Sequence, residues 1–302
     1  MVDMTDLLTL QGQLFLLLLT GALFRKFVVG EHFQAGLTDV IIDLILPCNI
    51  VTSFLIEMNG ELLRSTMSIL IVSLMNQIFC LILAAFLFRG CKEENQPTMK
   101  FGLLCSNAGF LGTPVAEGIW GGKGVLLAAI FLIPQRIFMW TAGIGFFQKE
   151  NGKHAVKKLL KNPCIDAVII GLILMVTQFR LPSVMDRAVM AFSNCNTGMS
   201  MFLIGMIASR IKPRDCMNKE ILYLTAVRLL LLPLTVLLSC HALHANDLST
   251  GVSVILTAMP VGGTTAVLAA KHNRNPEFAS SCVAVSTVLS LIAIPLWGLV
   301  LN

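Results

Sequence analysis

Apolar residues run along this chain in blocks of roughly twenty, and nearly all the charge is gathered in the short stretches between them. A helix needs about 20 mostly apolar residues to cross the hydrocarbon of a bilayer. Blocks of that kind recur at 8–28, 37–57, 65–89, 98–119, 123–147, 162–179, 185–209, 218–242, 247–270 and 276–301. They predict an all-α membrane protein with ten transmembrane helices. The first block lacks a basic leader and a small-residue cleavage site, so it reads as a span rather than a signal peptide. A basic stretch at 148–161 separates the fifth block from the sixth and divides the chain into halves at 1–147 and 162–302.

Two blocks are interrupted. The fourth holds Ser106-Asn107-Ala108-Gly109-Phe110-Leu111-Gly112-Thr113-Pro114, and the ninth holds Met259-Pro260-Val261-Gly262-Gly263-Thr264. Proline removes a backbone donor and clashes with the preceding turn, and glycine lowers the cost of unwinding. A Cys-Asn pair precedes each interruption, at Cys48-Asn49 and Cys195-Asn196, and Pro-Val recurs at 114–115 and 260–261. Asn49 to Pro114 is 65 positions and Asn196 to Pro260 is 64. Broken helices at matching places in two halves predict a repeat of five plus five spans, inverted because each half has an odd number, with spans 4 and 9 crossing.

Charge sets the orientation. Sixteen basic residues fall in odd-numbered loops, within 25–26, 89–100, 149–161, 210–219 and 271–274, whereas Arg64, Lys123, Arg180 and Arg187 are the four in even-numbered loops. Basic residues accumulate on the cytoplasmic side, so the odd loops are expected there and both termini outside, in the cell membrane. The formal net charge of +5 then follows from topology and implies no nucleic-acid partner. Composition agrees, at 56% hydrophobic, 13% charged and mean hydropathy +0.81. The nine cysteines are scattered without a CxxC pair and read as small hydrophobes. His241 and His244 with Asp247 make a poor metal site, and no metal or cofactor is expected.

Chemistry is expected at the interruptions. Unwound backbone within a bilayer persists only where it is buried in protein or lines a wet cavity. It exposes half-helix N-termini, whose N–H groups and positive dipole ends attract anions. The candidate substrate-binding residues are therefore Ser106, Asn107, Gly112, Thr113 and Pro114 from the first interruption and Pro260, Gly262 and Gly263 from the second. The alternative is an ordinary proline kink. Asn49 and Asn196 sit mid-span, where they either bond helix to helix or line the same site. Ser106 and Thr113 either donate to a ligand or satisfy freed carbonyls. Arg136 and Arg228 are intramembrane charges, which usually face a cavity or a partner. Asp43 and Glu117 are the nearest acidic residues by depth. Either arginine is a candidate for attracting an anion, with a structural ion pair as the alternative, and Arg228 is taken into the candidate site.

Enzyme motifs are lacking: there is no HExxH, no GxSxG and no P-loop, so neither catalysis nor ATP-driven transport is expected. A secondary carrier with an anion-attracting site is the reading these features favour. A membrane-embedded sensor or receptor built on the same fold is the alternative.

The residues also resemble the auxin efflux carriers and their bacterial relatives along nearly the whole chain. Leu46-Pro47, the stretch from Asn107 through Gly109 and Gly112 to Pro114, Gln135 with Trp140, Gly198-Met199-Ser200-Met201-Phe202 with Gly205, Arg228 with Pro233, Pro260-Val261-Gly262, Ala270-Lys271, Asn273, Pro276 and Pro295 match that family's pattern in order and spacing. The resemblance adds Gln135 to the candidate site. It implies a ten-span carrier in which a scaffold bundle moves against a transport bundle, a homodimer, and transport of organic acid anions. The loop between the halves is short, as in bacterial members, and Val261 stands where the plant pattern has glutamine. A small carboxylate such as malate or malonate is thus a better expectation than the plant hormone. Proton coupling, sodium coupling and uniport are all left open.

Overall fold

Every apolar block is helical in the computed structural model, which describes residues 4–28, 31–55, 60–147, 163–209 and 217–301. The basic stretch at 148–161, from which a cytoplasmic orientation signal was expected, lies outside the described residues. In the first half α1 spans Met4–Val28, α2 spans 31–54, α3 spans Gly60–Phe86, α4 is split into α4a (Gln96–Leu104) and α4b (108–120), and α5 spans 122–147. In the second half α6 spans Pro163–Thr177, α7 Ser183–Ala208 and α8 Lys219–Ala242. The broken α9 follows as α9a (Asp247–Thr257) and α9b (Thr264–Lys271), and α10 spans Pro276–Val300. Among the described residues each half thus runs through three helices, a broken helix and a last helix. The join between α4b and α5 turns at Gly121, with φ 60° and ψ −148°, a conformation open to glycine and strained for other residues.

Thr66–Phe86, Leu126–Phe147, Lys219–Ala242 and Pro276–Val300 are long and apolar enough to cross a bilayer, and they are the third and fifth helices of each half. On three of them, α3, α8 and α10, the faces are reversed relative to a water-soluble helix, while Leu126–Phe147 is largely buried in the protein. On α3 the exposed side chains Met67, Ile71, Leu74, Met75, Ile78 and Ile82 follow the helical period, while Ser73, Asn76 and Gln77 point inward. An apolar stripe facing out and polar groups facing in is what a lipid solvent selects.

Proline shapes the helices locally. Three π-turns, Ile41–Ile45, Ala108–Gly112 and Val227–Leu231, each end two residues before a proline, namely Pro47, Pro114 and Pro233. Proline has no N–H for the carbonyl four residues back and clashes with it, so the preceding turn widens. At Pro233 the affected carbonyl is that of Leu229, and Trp297 Nε1 on α10 donates to it at 2.8 Å.

The helices pack as two groups. In one, α1 lies along α7, which also packs on α2, and α2 lies along α6. Gly21 and Gly205 permit the α1–α7 approach: a Cβ at Gly21 would meet the Phe202 carbonyl oxygen, and one at Gly205 that of Leu18. The other group joins α3, α4, α5, α8, α9 and α10. The two meet where α7 and α1 pack on α10 and where α1, α2 and α7 reach the α4–α5 segment.

Candidate functional site at the crossing of the broken helices

The two interruptions cross and pair. Cys105 is extended, at φ −102° and ψ 98°, and ends α4a. Ser106 and Val261 form an antiparallel bridge, flanked by Asn107 N–H donating to the Pro260 carbonyl and Gly262 N–H donating to the Cys105 carbonyl, both at 2.8 Å. Unwound backbone in the protein interior is thereby satisfied by the other interruption. The pairing requires a residue without a side chain at 262, because a Cβ there would stand 2.8 Å from Cys105 Sγ and 3.1 Å from its carbonyl oxygen.

This geometry corrects the register read from the sequence. The first break falls at 105–107, and Pro114 lies beyond it, in the first turn of the helix that follows a π-turn. Ser106 and Val261 are 155 positions apart, whereas Pro114 and Pro260 are 146 apart. Equating the two Pro-Val pairs therefore misaligns the crossing by nine residues, about two and a half helical turns. Proline is well tolerated in a first turn, so Pro114 shapes a helix start without being the break.

Around the crossing, side chains from neighbouring helices hold each segment. Gln135 on α5 grips Ser106 twice: the Ser106 hydroxyl donates to Gln135 Oε1 at 2.8 Å, and Gln135 Nε2 donates to the Ser106 carbonyl at 3.0 Å. Ser286 Oγ on α10 accepts from Val261 N–H at 3.1 Å. Cys105 Sγ lies 3.0 Å from Thr264 Oγ1 and 3.1 Å from Met139 Sδ.

Beside the crossing is a cavity of about 40 Å³ lined by Asn49, Cys105, Ser106, Asn107, Gly109, Leu132, Gln135, Arg136, Met139, Trp140, Gly262 and Thr264. Asn107 caps the start of α4b, and Gly262 and Thr264 flank the start of α9b, so both half-helix N-termini open onto it. Both amide atoms of Asn107 and the indole nitrogen of Trp140 are buried without a hydrogen-bond partner among the described residues. A buried polar group left unpaired costs about 1–3 kcal/mol, so two on one cavity mark a place that takes a polar ligand. Arg136 brings a guanidinium to the same wall, its residue only 7% exposed, and a Cβ at Gly109 would stand 3.7 Å from its Nη2.

Of the residues singled out from the sequence, Asn49, Ser106, Asn107, Gln135 and Gly262 line this cavity. Asn49 reaches it from the other helix group and is braced there, its amide donating to Ser193 Oγ on α7 at 3.2 Å. The rest lie elsewhere. Asn196 is buried within α7, where its Oδ1 accepts from Ser200 Oγ at 3.2 Å. Thr113 Oγ1 turns back to the Ala108 carbonyl, and Gly112 packs against Leu256 and Met259 of α9. Pro260 contributes its carbonyl to the crossing, and Gly263 caps α9b. Arg228 is not among the cavity-lining residues. Its guanidinium donates to the carbonyls of Leu103 and Met259 at 2.6 and 3.2 Å. Of the two intramembrane acids considered from the sequence, Asp43 is not among its described partners. Asp43 instead pairs with Lys271 across 3.7 Å, linking α2 to the end of α9b, and the Glu117 side chain lies outside the described set.

Trp140, Met139 and Thr264 were not among the sequence candidates for the site, and Arg136 was weighed only alongside Arg228 as an intramembrane charge that attracts an anion or makes an ion pair. A signal existed for three of them. Leu132, Gln135, Arg136, Met139 and Trp140 follow a helical period along one face of α5, mixing amide, guanidinium and indole with apolar groups just past Pro134. The π-turn Met139–Gly143 is the part no local pattern revealed.

The pattern of the family described as membrane transport protein matches residues 13–298. An uncharacterized transporter of Methanothermobacter thermautotrophicus is 27% identical over 315 residues, covering the whole of both chains. An uncharacterized transporter of Escherichia coli strain K12 is 24% identical across 90% of each chain. Auxin efflux carrier component 8 of Arabidopsis thaliana is 28% identical over 142 residues, which is 45% of this chain and 39% of that protein.

Proposed function

The chain belongs to the membrane transport protein family that includes the auxin efflux carriers, and from that premise we propose that it is a secondary transporter of small organic acid anions. The observation that carries this reading is the convergence of unpartnered Asn107 and Trp140 donors, the Arg136 guanidinium and two half-helix N-termini on one cavity. A carboxylate accepts hydrogen bonds and carries the negative charge that a guanidinium and half-helix N-termini attract. In this reading the Asn107 amide and Trp140 N–H hold one carboxylate, and Arg136 supplies the countercharge.

A cavity of about 40 Å³ is far below the roughly 300 Å³ at which ligand pockets begin, so the two helix groups are drawn together here. Alternating access follows if the group holding the crossing moves against α1, α2, α6 and α7. Asn49, contributed by that second group, then meets the substrate in only part of the cycle. The order of helices in each half supports two inverted repeats of five spans, with both chain ends outside the cell membrane and 148–161 as the cytoplasmic loop between them. A small carboxylate such as malate or malonate is favoured over an aromatic acid, because the space beside the crossing is small.

The test is flux. The purified protein in liposomes should move at least one radiolabelled C2–C5 carboxylate saturably, with competition by its analogues. Folded protein that moves none of them while binding one in solution would favour a sensor on a transporter fold.

A further inference from the structure

The two half-helices that end at the crossing present the opposite polarity from the two that begin there. α4a terminates at Leu104 and α9a at Thr257, and a helix C-terminus carries unsatisfied carbonyls and roughly half a unit of negative charge. Two such ends call for about one unit of positive charge. In carriers with broken helices, carbonyls of this kind are the ligands of a driving sodium ion or proton. Here the position is filled by the protein. Arg228 Nη1 donates to the Leu103 carbonyl at 2.6 Å, at the end of α4a, and Nε donates to the Met259 carbonyl at 3.2 Å, just past α9a. The side chain is 1% exposed, and both of these bonds go to main-chain oxygen. The π-turn Val227–Leu231 that precedes Pro233 carries it.

We propose that Arg228 is a built-in cation occupying the coupling-ion position of the crossing, so that the anion moves through this protein without a sodium ion or proton bound there. The proposal rests on the reading of the chain as an anion transporter and adds its energy coupling. The two arginines then have separate duties: Arg136 lines the cavity on the N-terminal side of the breaks, and Arg228 neutralises the C-terminal side. A guanidinium does not release its proton in a protein, so Arg228 acts as a fixed charge and not as a proton carrier. Net charge moved per cycle is that of the substrate, and the membrane potential acts on it directly.

The experiment compares parent, Arg228→Lys and Arg228→Ala. Thermal unfolding of each in detergent is followed in sodium, lithium, guanidinium or choline chloride at one ionic strength, well below denaturing guanidinium. Carboxylate flux into liposomes is measured in the same salts at a clamped membrane potential. For the parent, unfolding temperature and flux should be the same in sodium and in choline. Arg228→Ala should lose flux by tenfold or more, as expected for lost charge-assisted hydrogen bonds. It should also become sensitive to the salt, with sodium or guanidinium raising its unfolding temperature above that in choline and restoring part of the flux. Arg228→Lys should fall between the two. A parent flux that collapses in choline would overturn the proposal. So would a folded Arg228→Ala that is active in choline, or one that no small cation restores. Should Arg228→Ala fail to fold, parent and Arg228→Lys decide by the same comparisons. A parent that moves no carboxylate in any salt would instead overturn the transport reading, and the unfolding series would still judge Arg228.

Discussion

The backbone N–H of Asn107 is bonded to the carbonyl of Pro260 at 2.8 Å, while neither side-chain amide atom of Asn107 has a partner among the described residues. The same residue therefore closes the crossing with its main chain and leaves its side chain to the cavity. Asn107→Ala should keep the fold, since it breaks no side-chain bond and relieves a buried unpaired amide worth about 1–3 kcal/mol. Its unfolding temperature should match or exceed that of the parent. Carboxylate affinity should fall on the order of tenfold to a hundredfold for one charge-assisted hydrogen bond lost. Calorimetric binding with parallel thermal unfolding checks both halves; unchanged affinity would move the site away from this cavity.

Gly262→Ala should do the reverse, damaging fold and transport together. The added Cβ would lie 2.8 Å from Cys105 Sγ and 3.1 Å from the Cys105 carbonyl, so the antiparallel bridge must open. Overpacking of this kind costs about 1–3 kcal/mol. A drop in unfolding temperature accompanied by lost flux is expected, and Cys105→Ser should not rescue it because the carbonyl contact persists. Normal stability in Gly262→Ala would show that the bridge tolerates a side chain.

Asp43 and Lys271 join the two helix groups, and both are substantially exposed, at 53% and 41%. An exposed pair contributes below about 1 kcal/mol, so Asp43→Asn should barely change stability. Movement of one group against the other must break it, and a like-charge pair should favour the parted state. Asp43→Lys should raise the reactivity of buried Cys105 toward a membrane-permeant thiol reagent, and Asp43→Lys with Lys271→Asp should lower it again. Equal reactivity in all three proteins would remove the pair from the transport cycle.

Reporter fusions test the topology. The distribution of basic residues predicts Gly152 in the cytoplasm and Asn302 outside. Fusions at these two positions should report opposite sides, and the same side for both would rule out inverted halves.

Short-range physics made much of this protein legible in its sequence. Blocks of about twenty apolar residues became helices because the bilayer rewards internally bonded backbone, and the two blocks in which glycines cluster within a few residues of a mid-block proline became the broken ones. Three of the π-turns among the described residues are marked too, since Pro47, Pro114 and Pro233 each follow one by two positions, whereas Met139–Gly143 has no such mark. Tertiary structure alone decided the register of the crossing, which pairs residues 155 positions apart and sets aside the repeated Pro-Val. It also separated two arginines that look alike in the sequence, sending Arg136 to the cavity and Arg228 to the carbonyls of Leu103 and Met259. The reason is geometric. One extra residue in a π-turn rotates everything after it by about 100°, so the helical face that meets the cavity is set by packing between distant segments and not by local pattern.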